Sequence, residues 1–140
     1  LERSEGISYM MESQKGASTW DNSGIYPDEI LEHNICTGSN SEKYREFKFE
    51  GFSAGTYKIR LFCSTIHANS SSERSRWKVN VDGVETEFSI PAGFNPNNNL
   101  TQWLEQTVEV GENGFSIFWG VNSSGSYIYV PLNIIDIEKI

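Results

Sequence analysis

From Tyr44 onward, apolar side chains recur at every second position, in short runs that end on glycine, asparagine or aspartate. In the run 56–64, Tyr57, Ile59, Leu61 and Cys63 fall on one side and Lys58, Arg60 and Phe62 on the other. The run 74–81 repeats this, with Trp77, Val79 and Val81 against Arg76, Lys78 and Asn80. The run 115–121 gathers Phe115, Ile117, Trp119 and Val121. A period of two belongs to an extended strand with one buried face, so Tyr57, Ile59, Leu61, Trp77, Val79, Phe115, Ile117 and Ile135 are expected to form the core. Further strands are expected over 44–50, 85–90, 104–110 and 127–140, the last with a break at Pro131. Only Pro27-Asp28-Glu29-Ile30-Leu31-Glu32 reads as a helix, of one or two turns. Short strands at this spacing predict an all-β fold, an antiparallel two-sheet sandwich of about eight or more strands.

The chain has 140 residues, enough for a single β-sandwich domain with a core that needs no staples. Its net charge of −8 lacks the basic footprint of a nucleic-acid binder, so no nucleic-acid partner is expected. No apolar run reaches the roughly 20 residues of a membrane-spanning helix, and no membrane span is expected. The opening Leu1-Glu2-Arg3-Ser4-Glu5 lacks signal-peptide architecture, and a longer parent chain is expected. Cys36 and Cys63 are expected as reduced, buried thiols, a disulfide being the alternative. Sequons stand at Asn69, Asn99 and Asn122.

If successive strands run antiparallel, alternate connections lie at the same end. The turns 51–55, 82–83 and 111–114 then close one end, and all are short. The connections 34–43, 66–72, 91–103 and 122–126 form a crown of polar loops at the other. Irregular loops on a rigid scaffold are where binding concentrates.

Catalytic signals are weak. The serines lie in runs such as Ser70-Ser71-Ser72 and not in a GxSxG elbow, His33 and His67 are isolated, and no HExxH or phosphate-cradling glycine loop occurs. A binding function is therefore expected, with no catalytic residue, no metal-ligand cluster and no cofactor. Sugars present apolar CH faces flanked by hydroxyls, which proteins grip with an aromatic ring and placed amides. The crown offers those types: Trp103 for stacking, Asn97, Asn98, Gln102 and Asn122 for hydroxyls, with Tyr127, His67 and Asn69 beside them. An alternative site is the polar strand face, where Arg60 and Phe62 would join Arg76 and Lys78.

Five segments carry a resemblance to a known family: Tyr26-Pro27-Asp28-Glu29-Ile30-Leu31, Phe49-Glu50-Gly51-Phe52 with Gly55-Thr56-Tyr57-Lys58-Ile59, Arg76-Trp77-Lys78-Val79-Asn80-Val81-Asp82-Gly83, Glu112-Asn113-Gly114-Phe115-Ser116-Ile117, and Leu132-Asn133-Ile134-Ile135-Asp136-Ile137. In order and spacing the chain resembles the galactose-binding-like β-sandwich carbohydrate-binding modules appended to polysaccharide-degrading proteins of Bacteroidetes-type bacteria. The resemblance implies a jelly-roll sandwich that binds an oligo- or polysaccharide, a covalently linked catalytic domain, and a secreted, periplasmic or cell-surface setting. Some members hold a structural calcium, whose nearest counterparts here are Glu12 and Asp136, although no Asp-rich loop supports it. The alternatives are an adhesion or interdomain docking module that binds protein, and a small esterase-like enzyme.

Overall fold

A computed structural model describes residues 2–3, 34–66 and 73–140. The helix expected at Pro27–Glu32 lies outside them, as do Glu12, Trp20 and His33. Among the described residues the fold is all-β. The ten strands are β1 (Glu2–Arg3), β2 (Ile35–Ser39), β3 (Lys43–Phe49), β4 (Gly55–Phe62), β5 (Ser75–Val81), β6 (Val84–Glu87), β7 (Trp103–Val110), β8 (Phe115–Val121), β9 (Ile128–Leu132) and β10 (Ile134–Lys139). They form a five-stranded sheet in the order β1-β3-β8-β5-β6, a three-stranded sheet β10-β4-β7, and the pair β2-β9. Every ladder is antiparallel.

The alternation sets which face each strand buries. On β4 the side chains of Tyr57, Ile59 and Leu61 are buried between sheets while Lys58 and Arg60 are half-exposed. Trp77 and Val79 of β5, Phe115, Ile117 and Trp119 of β8, and Ile128, Val130 and Leu132 of β9 join them in one core drawn from all three sheets. The arrangement is β-sandwich-like. Each such aliphatic side chain stabilises the fold by about 1.5–3 kcal/mol relative to exposure. Ile135 is only half-buried, because β10 is the edge strand of its sheet.

Of the pair β2-β9, β9 falls within the strand expected over 127–140, whereas β2 occupies part of the expected loop 34–43, since Ile-Cys-Thr-Gly-Ser has no alternating pattern. The pair is tied to the five-stranded sheet by polar handles on buried rings. The Trp77 indole donates to the Pro131 carbonyl at 3.0 Å, and the Trp119 indole to the Ile35 carbonyl at 3.2 Å. The Thr37 hydroxyl donates to the Trp119 carbonyl at 3.0 Å. Pro131 does not break the last strand. It sits inside β9 opposite Cys36, where pairing on one side only leaves room for a residue without an N–H. The break falls at Asn133, which donates its N–H to the Phe62 carbonyl at 2.9 Å and accepts the Ser64 N–H on its side chain at 2.7 Å.

The short turns do gather at one end. Asn113 of the β7–β8 turn donates to Asp82 of the β5–β6 turn at 3.0 Å, and Lys139 reaches Ser53 and Ala54 of the β3–β4 turn. The Asp82-Gly83 hairpin uses two consecutive positive φ angles, 50° and 85°, as a tight two-residue turn requires. At the other end lie the turn after β2, the segment 89–102 and the loop 122–127. Gly125 donates to the Asn40 carbonyl there, and Asn122 to the Arg74 carbonyl.

Candidate functional site

The segment 89–102 crosses from one sheet to the other and is anchored at three points. Ser89 pairs with Glu105 beside β7. Phe94 is buried at 4 % exposure and packs edge-on against Trp77, ring centroids 5.8 Å apart, so this loop residue belongs to the core. Thr65 donates to the Pro96 carbonyl at 2.9 Å and accepts the Asn98 N–H at 2.8 Å.

Asn99 then locks the tip. Its amide nitrogen donates to the carbonyls of Cys63 (3.1 Å) and Gln102 (2.7 Å), and its oxygen accepts the N–H groups of Thr101 (3.3 Å) and Gln102 (2.9 Å). Asn99 is 6 % exposed, so the sequon there marks a brace and not a glycosylation site of the folded protein. Asn98 is exposed in the left-handed region, φ 57°, which asparagine tolerates better than most residues. The result is an open cleft of about 390 Å³ whose lining includes Asn95, Asn97, Asn98, Thr101 and Gln102.

Asn122 and Tyr127 stand on the neighbouring loop. Arg74 clamps it, donating to the Ser126 carbonyl at 2.5 Å and the Ser123 carbonyl at 2.6 Å, with its guanidinium against Gly125. The Asn122 side chain accepts from the Ser123 hydroxyl at 3.1 Å. Tyr127 is 48 % exposed and meets Tyr129 edge-on at 5.3 Å. Its hydroxyl occupies the space a side chain at Gly38 would need. His67 and Asn69 lie outside the described residues.

Trp103 is placed differently from the expectation. It is the first residue of β7, in phase with Glu105, Thr107 and Glu109 on the outer face, while Leu104 and Val110 point into the core. Strand alternation therefore does account for it. It is paired with Phe62, edge-on at 5.4 Å, and the Arg60 guanidinium lies 5.3 Å from its ring centre. Arg60 is bound by Asp136, Nε to Oδ2 at 2.8 Å, which also raises the Arg60 pKa. Phe62 is fully buried although it stands outside the inter-sheet core. Trp103 thus follows Gln102 of the cleft in the chain and packs against the outer face of β4.

The alternative strand-face set is not one surface. Arg60 and Phe62 stand on β4, whereas Arg76 and Lys78 stand on β5 of the other sheet. Assuming that the two strands shared a face put them together; in the fold they back onto opposite sides of the core. On that second face Arg76 pairs with Glu87 at 3.5 Å, and Lys78 lies 3.4 Å from Glu85 and 4.6 Å from the Tyr44 ring centre.

Cys36 and Cys63 are both buried and unbridged. The Cys36 thiol donates to the Asn34 side chain at 3.1 Å, and burial pushes its pKa up to about 12. Burial also pushes the Cys63 thiol well up. Neither is a thiolate at neutral pH, so neither is an activated nucleophile. Among the described residues no three His, Cys, Asp or Glu side chains gather as a metal site. Asp136, bound to Arg60, does not suit a calcium ligand.

Comparison with protein-family models, curated proteins and solved structures gives no match to this chain.

The braces escaped sequence reasoning. Asn99 is one of three consecutive asparagines, and nothing local separates the buried one from its neighbours. Arg45 did leave a signal, because it shares the inward phase of Phe47 on β3.

Proposed function

We propose that the chain is a non-catalytic carbohydrate-binding module, a jelly roll of the galactose-binding-like kind, that holds a polysaccharide for a linked catalytic domain in a secreted, periplasmic or cell-surface setting. The observation that carries this reading is the amide-lined cleft at 93–102, fixed by Asn99 and followed directly in the chain by Trp103. Carbohydrate recognition needs donors and acceptors held in place before binding, because ordering a loop on binding weakens affinity. Asn97, Asn98 and Gln102 supply amides for hydroxyl groups, and the exposed part of Trp103 supplies an apolar edge. Asn122 and Tyr127 extend the surface.

A glycan array followed by titration calorimetry tests this. Trp103→Ala is expected to weaken binding by about 1–3 kcal/mol, on the scale of one buried aromatic side chain. Asn98→Ala is expected to weaken it at unchanged fold. If both variants bind as wild type while Arg76→Ala or Lys78→Ala abolishes binding, the outer face of the five-stranded sheet is the site instead.

A further inference from the structure

β6 is an edge strand of the five-stranded sheet, and β7 is an edge strand of the three-stranded one. Ser89, just past β6, donates its N–H to the Glu105 carbonyl of β7 at 3.3 Å, and the two antiparallel edges separate from that bridge onward. Between them is an open cleft of about 440 Å³, whose lining includes Asp82, Val84 and Thr86 on one side and Thr107, Val108 and Glu109 on the other. All four residues of β6 are exposed. Val84 is 68 % exposed although it shares the inward phase of the buried Phe88.

The parity of the ladders gives the backbone groups that face this cleft. In an antiparallel pair, residues that exchange hydrogen bonds alternate with residues that do not. Phe88 donates to the Trp77 carbonyl at 2.9 Å, so Thr86 and Val84 bond to β5 in turn, while Glu85 and Glu87 direct their N–H and C=O groups away from it. On β7 the Glu105 carbonyl already faces β6, and Thr107 and Glu109 share its parity. Both edges therefore offer backbone donors and acceptors to an extended segment, the arrangement used in recognition by strand addition.

The side chains set what that segment must carry. A strand added to β6 turns alternate residues inward, over Val84, Thr86 and Val108, and the others outward, beside Glu85 and Glu87. The inward ones must be apolar and the outward ones basic. Each of the two glutamates meets one cation, Lys78 or Arg76, yet stays about half exposed. Asp82 and Glu109 bring two more carboxylates to the cleft, and no cation among the described residues lines it. A second copy of the chain does not fit, because β6 against β6 sets glutamate opposite glutamate. Residues 4–33, with six carboxylates against Lys15, match no better. We propose that the β6 edge docks an extended segment of a partner protein in which basic and apolar side chains alternate. The docked segment closes the open side of the sandwich toward its tight end, where Asp82 meets Asn113, and its binding is independent of the carbohydrate reading.

The probe is a capped eight-residue peptide of alternating lysine and valine. One control replaces its lysines by glutamate, and another holds the same residues in two blocks. Amide hydrogen exchange on the whole chain, followed by NMR, reads the edge, and titration calorimetry reads affinity. Without peptide, the amides of Glu85 and Glu87 are expected to exchange fast and those of Thr86 and Phe88 slowly. The alternating basic peptide is expected to slow Glu85 and Glu87, less so as salt rises, and both controls are expected to leave them unchanged. Glu87→Pro removes an outward N–H without cutting the β5 ladder and is expected to abolish binding. The double change Glu85→Gln, Glu87→Gln keeps every backbone group and is expected to weaken binding several-fold; it serves if the proline variant does not fold. Slow exchange at Glu85 and Glu87 before peptide is added overturns the proposal, because the edge is then covered by the chain itself or by a second copy. No response to the alternating peptide overturns it, as does an equal response to either control or full binding in a variant.

Discussion

Asn99 shows how much one amide can do. It bonds to four backbone groups, two on each of its side-chain atoms, so that 93–102 reaches β4 and returns on itself. Asn99→Ala leaves those groups unmatched in a buried place, at about 1–3 kcal/mol. Chemical denaturation is expected to show that loss, and Asn98→Gly, which removes an exposed side chain at a φ of 57° that glycine accepts, to show little. The thiols give a second test at this scale. Mass measurement is expected to find Cys36 and Cys63 unlabelled by a thiol reagent in the native protein and both labelled after denaturation without reductant. Because Cys36 ionises near 9 when unfolded and near 12 when folded, the folded state holds the extra proton between those values. Its contribution to stability is complete below pH 9 and fades as pH rises toward 12. A Cys36→Ala variant is expected to lose that part of the alkaline slope in a Tm-against-pH series.

Strands were legible where one face meets the core and the other meets water. On β4 the alternation placed Tyr57, Ile59 and Leu61 correctly, and Leu61→Ala is expected to cost about 2–5 kcal/mol. An unchanged denaturation midpoint would show those faces reversed. Legibility failed where a residue serves neither role. Phe62 falls on the outer phase yet is fully buried, and β2 carries too little pattern to announce a strand. Trp103 looked like a loop residue because the strand boundary, not the phase, was misplaced by one position. Two elements that read as equals, β4 and β5, lie in different sheets, and sheet membership is set by pairings that period-two arguments do not contain. Turn glycines are a further test. Gly114 has φ 73°, and a Cβ there would run into the Phe49 carbonyl of β3. Gly114→Ala therefore strains both the β7–β8 turn and the β3–β8 ladder, and is expected to lower Tm more than Gly83→Ala, which meets no neighbouring atom.

For the molecule as a whole, the division into a tight end and a looped end was legible from connection lengths, because antiparallel pairing makes position alternate. Which loop atoms remain available for a ligand was not, since that depends on long-range bonds such as Thr65 to Pro96 and Arg74 to Ser126. One feature of the topology carries a consequence in time. β2 joins β9, β3 joins β8 and β4 joins β10, so early strands wait for partners from the far end of the chain. Long chain closures precede any reward from such pairing, and folds of this kind mature in roughly milliseconds to seconds. The hairpin β5–β6 needs no distant partner and is expected to protect its amides first. The β2–β9 ladder is expected to protect last, because it rests on Trp77 and Trp119 already standing in place. Pulse-labelled hydrogen exchange during stopped-flow refolding reads that order, and early protection at Thr37 and Val130 would reverse it.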